Sequence, residues 1–233
     1  MVPQIQDSRP DGSGRASAST RMTSTRMTPR VMKAIDVASI AHRHHVRKMT
    51  DTPYAAHLFA VAMLVAEFAD GVDVGEAGEG RTSDAADATA EDMIIAALLH
   101  DTLEDVPEHY GVDRMRADFG DRVTGLVEEL TKVDDPSWQV RSEAYLQHLE
   151  HDASIPAVLV STCDKLHNLK STLIDLEAQG DSLWDRFNAG REKQLWWYSE
   201  LARVYSVRLG EVPGCGRLTG EFTALVEQLH AIA

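Results

Sequence analysis

The sequence has few of the features that would suggest a cross-linked or membrane-spanning protein. It contains only two cysteines in 233 residues, Cys163 and Cys215. They lie in unrelated sequence contexts, so no disulfide framework is indicated and a reducing, cytoplasmic location is expected. The longest uninterrupted apolar stretch, Leu58 to Ala66, is too short to cross a bilayer. A transmembrane protein is therefore not expected.

Positive charge is also scarce. The chain has 23 Lys and Arg against 37 Asp and Glu, a formal charge of −14. Residues 1–30 hold five Arg and two Asp, which leaves 18 basic and 35 acidic residues, a charge of −17, for the rest. A sequence-independent electrostatic grip on DNA, RNA or an acidic membrane is thus disfavoured. The oligomeric state, including a homo-oligomer, is left open.

Two stretches contain almost no large apolar residues. Residues 1–30 include a direct repeat, Ser19–Thr23 followed by Ser24–Thr28, and residues 70–90 consist mainly of small and acidic residues. Such segments cannot bury enough apolar surface to offset the entropy lost on ordering. We expect a disordered tail over 1–30 and one domain over 31–233 that contains a flexible acidic loop at 70–90.

The remaining segments have helical composition and apolar spacing, with few alternating β-branched runs. The predicted fold class is an all-α, single-domain helical bundle. Helices are predicted near 31–48, 54–69, 91–105, 112–118, 121–131, 139–150, 154–178, 191–208 and 217–231.

One apolar segment ends in a polar run, His100 to Asp105, which contains one imidazole and three carboxylates. On a continuous helix Glu104 lies one turn beyond His100, and Asp105 lies one turn beyond Asp101, so the four groups form a compact rectangle. Such groups are costly to bury without partners, and a divalent ion would satisfy them. The alternative is a helix end whose polar residues face water.

Two further candidate ligands lie on other predicted helices. His57 is the one strongly polar group in an apolar segment, and a core histidine bonded to a carbonyl is the alternative. Asp164 shares a helix face with Asn168 and Ser171. Periodicity alone does not distinguish such a polar site from a solvent-exposed face.

Taken together, these residues resemble a known pattern. The order His57, His100-Asp101, Asp164 is similar to the H…HD…D pattern of the HD superfamily of metal-dependent phosphohydrolases. Further motifs over residues 31–208 resemble the hydrolase domain of Rel/SpoT-type enzymes and their small single-domain relatives. These motifs are Arg47-Lys48, Thr52-Pro53-Tyr54, Phe119-Gly120, Leu130-Thr131-Lys132 and Asp164-Lys165-Leu166-His167-Asn168.

The resemblance implies an all-helical enzyme that holds a divalent ion on His57, His100, Asp101 and Asp164. Two imidazoles and two carboxylates without a thiolate suit Mn²⁺, as does the resemblance, and other divalent ions are left open. The implied reaction is hydrolysis of the 3′-pyrophosphate of the guanosine alarmones ppGpp and pppGpp, giving GDP or GTP and pyrophosphate.

The resemblance also implies a substrate-binding set, Arg47, Lys48, Asn168 and Ser171. Glu104 and Asp105 are then expected beside the metal as catalytic groups that move protons, because one helical turn separates them from the predicted ligands.

The sequence departs from the family pattern at several places. Leu58 stands where the family usually has Pro, Ser161-Thr162-Cys163 replaces a Lys-Leu-Ala run, and His45 stands where Gln is frequent. Two alternatives therefore stay open. One is an HD phosphohydrolase for another phosphorylated nucleotide or cofactor, and the other is a non-catalytic, nucleotide-binding or antitoxin-like HD protein.

Two clusters of ring side chains are less specific. His42, His44 and His45 could form a second metal site, but a solvated His-rich helix is the favoured interpretation. Of the aromatic residues at 184–198, at least one is expected to line a pocket or an interface, because Trp196, Trp197 and Tyr198 are adjacent and cannot all face one core.

Overall fold

The computed structural model describes most of the chain, namely residues 26–48, 50–72, 88–132, 135–187 and 189–233. Within these ranges the chain is helical, and β-structure is limited to one isolated bridge between Val46 and Pro53. The all-α prediction is confirmed. No helix in this part of the chain combines the length and apolarity needed to cross a membrane. The predictions for the tail and for the acidic loop fall mostly outside the described residues.

The described elements are ten α-helices and two short 3₁₀ segments, Ala69–Gly71 and Gly180–Arg186. The α-helices are α1 (Pro29–Ala41), α2 (Ala55–Phe68), α3 (Ala90–Leu99), α4 (Thr102–Asp105), α5 (Val112–Phe119), α6 (Asp121–Leu130), α7 (Trp138–His151), α8 (Ile155–Gln179), α9 (Gly190–Leu209) and α10 (Gly216–Ile232).

Helix α3 lies at the centre of the bundle, where it packs against α1, α2, α6 and α8. It begins at a capping box in which the side chains of Thr89 and Asp92 bond each other's backbone N–H groups. Every residue from Asp92 to Leu99 is buried. The polar run that starts at His100 therefore begins inside the bundle and not at its surface.

Helix α8 supplies a second buried wall, since it packs against α2, α3, α6, α9 and α10. The Ser154 side chain caps its start and Pro156 occupies its first turn. Each residue from Pro156 to Asp164 is buried. The first half of α8 thus carries Asp164 into the same interior region as the end of α3.

The helix predicted near 31–48 is wrong beyond Ala41. His42 ends α1, and the chain then turns so that the Arg47 N–H donates to Thr52 O and the Tyr54 N–H donates to His45 O, both at 2.9 Å. Histidine and valine are weak helix formers, so the alternative hydrogen bonds of the turn prevail. This turn places His42 and His45 beside Tyr54.

The helix predicted over 91–105 is interrupted at His100 and Asp101, between α3 and α4. His100 Nδ1 lies 2.8 Å from Ala97 O, the carbonyl that a continuous helix would pair with the Asp101 N–H. The side chain therefore competes with the helical hydrogen bond at this point. The interruption is local, since the Asp105 N–H still donates to Asp101 O at 2.8 Å.

Candidate metal centre and active site

Three of the predicted ligands meet where α2 and the end of α3 come together. One ligand atom from each of His57, His100 and Asp101 lies within 4.8 Å of the others. Asp101 Oδ2 is 3.0 Å from His100 Nε2 and 3.6 Å from His57 Nε2. Both imidazoles are buried, and His57 is only 2% exposed.

Asp164 joins this group from α8. Its Oδ1 lies 3.2 Å from His57 Nε2 and 3.6 Å from His100 Nε2. The residue is 5% exposed, so the alternative of a solvent-facing carboxylate does not hold. Asn168 Nδ2 donates to Asp164 Oδ1 at 2.7 Å, and the Lys165 ammonium pairs with the other carboxylate oxygen.

The remaining nitrogens of the two imidazoles are engaged away from the carboxylates. His100 Nδ1 bonds Ala97 O, and His57 Nδ1 lies 2.9 Å from His167 Nδ1. With Nδ1 of both rings engaged in this way, both Nε2 atoms face Asp101 and Asp164. Metal-binding histidines usually have this arrangement, in which the second nitrogen donates to another protein group.

The two buried carboxylates of the cluster need positive charge nearby to offset their own. Burial alone would lower the pKa of His100, but the carboxylates of Asp101 and Asp164 raise it to about 10. Despite their own burial, the pKa values of Asp101 and Asp164 are held well below the usual range, by His100 in the first case and by Lys165 and His100 in the second. Two ionised carboxylates beside two buried imidazoles fit a divalent metal ion, which would satisfy all four groups.

A cavity of about 410 Å³ opens beside this cluster. His57 and Glu104 line it, and so do the four residues predicted to bind substrate, Arg47, Lys48, Asn168 and Ser171. Within this lining, Arg47 Nη2 lies 3.4 Å from Asn168 Oδ1. The volume falls within the range of small-molecule sites.

The cavity is more cationic than the sequence predicted. Four further basic residues line it, namely Lys132, Arg141, Lys165 and Arg186. The acidic lining residues are Glu104, which lies 3.2 Å from Lys132 Nζ, and Asp175, which pairs with Arg186. Lys132 belongs to the Leu130-Thr131-Lys132 motif, whereas no sequence signal marked Arg141 or Arg186.

Aromatic side chains form another part of the wall: Tyr54, Trp138, Phe187, Trp197 and Tyr198. The expectation that an aromatic residue of 184–198 lines a pocket is met by the last three. Nothing in the sequence assigned a role to Tyr54 beyond its place in the Thr52-Pro53-Tyr54 motif. The Tyr54 hydroxyl donates to Asp101 Oδ2 at 2.5 Å and so holds a predicted ligand.

Glu104 and Asp105, predicted to act together, lie in different surroundings. Glu104 lines the cavity. Asp105 instead forms a second cluster with His42 and His45, whose ligand atoms lie within 4.8 Å of one another. Burial, with Asp101 and Glu104 nearby, raises the pKa of Asp105 to about 6.

The expectation of a solvated His-rich helix is wrong for His42. This residue ends α1 and is 1% exposed, because the ring of Tyr54 stacks on it with centroids 5.2 Å apart. Burial lowers the pKa of His42 to about 4, so its ring is neutral at pH 7. Among the described residues neither ring nitrogen has a hydrogen-bond partner.

The comparisons with known proteins agree with this geometry. The family model described as "HD domain" matches residues 34–193. The chain is 35% identical over 144 residues to a GTP pyrophosphokinase of Streptomyces coelicolor, a match that covers 60% of this chain and 14% of that protein. It is 32% identical over 157 residues to a guanosine-3′,5′-bis(diphosphate) 3′-pyrophosphohydrolase of Drosophila melanogaster, covering 66% of this chain and 73% of that one.

Two solved structures share the fold. One is described as a metazoan ortholog of SpoT that hydrolyses ppGpp, with a TM-score of 0.63, 23% identity and coverage of 86% of this chain and 96% of the other. The second is a protein from Listeria monocytogenes, with a TM-score of 0.58, 24% identity and coverage of 75% and 99%. At these identities the likeness concerns the fold alone.

Proposed function

Since the chain belongs to the HD domain family, we propose that it is a divalent-metal-dependent phosphohydrolase that removes the 3′-pyrophosphate of ppGpp and pppGpp. The products are GDP or GTP and pyrophosphate. One observation carries the proposal: the four-residue His/Asp cluster lies beside a cavity whose lining includes six Arg and Lys side chains. The relative from Drosophila bears the name of this reaction.

His57, His100, Asp101 and Asp164 would hold the metal ion. Nitrogen and oxygen donors without a thiolate favour Mn²⁺ among the candidates that the family suggests. When bound, such an ion lowers the pKa of coordinated water and polarises a phosphoryl oxygen. The protein's part is to hold the two imidazoles and two carboxylates in place, through Ala97 O, His167, Tyr54 and Asn168.

The cavity cations bind the phosphates of the substrate. A guanosine with pyrophosphates on both sides of its ribose carries several negative charges, whereas residues 31–233 of this chain have a formal charge of −17. Arg47 and Lys48, with Arg141 and Lys165, make the electrostatic potential inside the cavity positive despite this overall negative charge. Asn168 and Ser171 lie on the same wall and supply polar contacts near the ribose.

In this proposal Glu104 moves a proton. It lines the cavity, and Lys132 Nζ bonds both of its carboxylate oxygens at 3.2 and 3.3 Å, which fixes its orientation. A positioned carboxylate can take the proton of the attacking water. For Asp105 the catalytic role stays a prediction, and its place beside His42 and His45 favours a separate one.

Two of the departures from the family pattern, Leu58 and Ser161, do not favour a different substrate. Leu58 is fully buried in the core, and the Ser161 hydroxyl bonds the hydroxyls of Tyr145 and Tyr205 at 3.0 and 2.8 Å. Neither Leu58 nor Ser161 is among the residues that line the cavity. Both changes are thus accommodated by packing away from the substrate.

Incubation of the purified full chain with ppGpp and Mn²⁺ tests the proposal. Release of pyrophosphate is expected, together with GDP in equal amount. Asp101→Asn should abolish release, while Asp36→Asn, a matched change at an exposed position on α1, should leave it intact. Absence of release at micromolar enzyme, or full activity in Asp101→Asn, would overturn the proposal.

A further inference from the structure

The second cluster lies where α1 ends and α4 ends. His42 and His45 come from the turn after α1, and Asp105 is the last residue of α4. One ligand atom from each lies within 4.8 Å of the others. Nothing in the proposed hydrolysis uses His42 or His45.

His42 is the residue of this cluster that most needs a partner. It is almost fully buried, and both of its ring nitrogens lack a hydrogen-bond partner among the described residues. A buried polar atom without a partner is destabilising and rare in native proteins. Because the imidazole is neutral, a lone pair on one nitrogen is available to a cation, while the other nitrogen can donate a proton.

The ligand set matches a known class of site. Two imidazoles and one carboxylate are the protein ligands of several catalytic zinc sites, in which further positions are taken by water. Asp105 is partly withdrawn from water but exposed on its outer side, and His45 is half-buried. Water and ions can therefore reach the cluster from its outer side.

We propose that His42, His45 and Asp105 bind a second divalent transition-metal ion, separated from the His57 cluster by Tyr54. The ring of Tyr54 stacks on His42, while its hydroxyl bonds Asp101 of the first cluster. The two sites are thus neighbours with no ligand in common. The inference does not depend on which nucleotide the enzyme hydrolyses.

His45 and His44 provide a matched pair of variants. His44 is an exposed neighbour whose Nε2 accepts a hydrogen bond from Arg43 Nε at 3.1 Å, and it does not belong to the cluster. His45→Gln removes one ligand from a turn at the surface and His44→Gln makes the same chemical change beside it. Both variants should keep the circular dichroism spectrum of the wild type.

Equilibrium dialysis of the metal-stripped full chain against Co²⁺ tests the inference, because Co²⁺ accepts both imidazole and carboxylate ligands. At Co²⁺ concentrations comparable to that of the protein, the wild type and His44→Gln should bind one more equivalent than His45→Gln. Asp105→Asn should lose the same equivalent. Equal binding by wild type and His45→Gln would overturn the inference.

Pyrophosphate release measured with Mn²⁺ on the same protein preparations keeps the two proposals apart. A wild-type protein that releases pyrophosphate but binds no extra Co²⁺ equivalent would contradict only the second site. One that binds the extra equivalent without releasing pyrophosphate would contradict only the proposed reaction.

Discussion

The Tyr54 hydroxyl donates a hydrogen bond to Asp101 Oδ2 across 2.5 Å, although 47 residues separate them in the sequence. Burial, together with Asp101, raises the pKa of Tyr54 far above its ordinary value, so the hydroxyl keeps its proton and remains a donor. The bond fixes the orientation of a carboxylate that the proposed function assigns to the metal. Tyr54 is therefore a positioning residue.

Tyr54→Phe should weaken Mn²⁺ binding about tenfold or more, since groups that orient metal ligands typically contribute 10–100-fold to affinity. Mn²⁺ affinity can be measured by the loss of the free-ion signal in electron paramagnetic resonance. Tyr110→Phe is the matched control, because the Tyr110 hydroxyl bonds Asp118 at 2.8 Å, and neither residue belongs to the His/Asp cluster. Equal Mn²⁺ affinity in the two variants would exclude the positioning role.

Arg141→Ala should raise KM for ppGpp about tenfold or more and change kcat little, because a hydrogen bond to a charged group contributes roughly 1.5–3 kcal/mol. Added salt should raise the KM of the wild type by screening the same cations. Steady-state kinetics at two ionic strengths measures both effects. Arg122→Ala, at an exposed position on α6, should leave KM unchanged, and a similar KM for the two variants would count against a role for Arg141.

Glu104→Gln should lower kcat about 10²–10⁴-fold while leaving Mn²⁺ affinity close to that of the wild type, since the carboxylate is proposed to accept a proton and not to hold the ion. Single-turnover kinetics with metal binding measured on the same sample separates the two quantities. Glu108→Gln makes the same change at an exposed position. Loss of Mn²⁺ binding in Glu104→Gln would show instead that Glu104 holds the metal.

The contribution of His42 to the stability of the metal-free protein should fall on acidification, whereas Asp105, whose raised pKa is about 6, acts in the opposite direction over the same pH range. The pKa of His42 is about 4 in the folded state and near 6.5 when unfolded, so between these values the unfolded chain binds more protons and stability rises with pH. At pH 5 the contribution of His42 to the free energy of unfolding should be about 2 kcal/mol less favourable than at pH 7. The raised pKa of His100 stabilises the folded protein fully below about pH 6.5, and this stabilisation is lost as the pH rises from there towards 10.

Urea denaturation at pH 7 and pH 5 in the presence of a chelator measures this difference. His42→Leu removes the titrating group and should make the pH dependence flatter by about that amount. His151→Gln, a change at an exposed histidine, should retain the wild-type slope. An unchanged pH dependence in His42→Leu would show that burial of His42 is not the cause.

Residue composition and apolar spacing were enough to predict the fold class, whereas the four ligand candidates were connected only by their resemblance to the HD family pattern. The ligand candidates His57, His100, Asp101 and Asp164 do converge. Periodicity did not reveal that Asp164 is buried, because a polar helix face looks the same whether it meets water or a polar interior.

Other features depend on tertiary contacts that the sequence does not display. The helical pattern continued through His100, but its side chain competes for Ala97 O and interrupts the helix. Arg141 and Arg186 reach the cavity from α7 and from the 3₁₀ segment, which pack there only in the folded chain. Ser161 looked like a departure near the site, yet it completes a buried hydrogen-bonded set with Tyr145 and Tyr205.

His167 contacts both a predicted metal ligand, His57, and a predicted substrate-binding residue, Arg47. Its Nδ1 lies 2.9 Å from His57 Nδ1 and 3.2 Å from Arg47 Nη1, and both contacts need the lone pair of a neutral ring. Burial and its cationic neighbours lower the pKa of His167 to about 4, which keeps that lone pair free. In the proposed function, a metal on His57 and a nucleotide on Arg47 would thus both act through Nδ1 of one imidazole. If the ion raises the affinity for the nucleotide by some factor, the nucleotide must raise the affinity for the ion by the same factor. The two binding equilibria are thus thermodynamically linked.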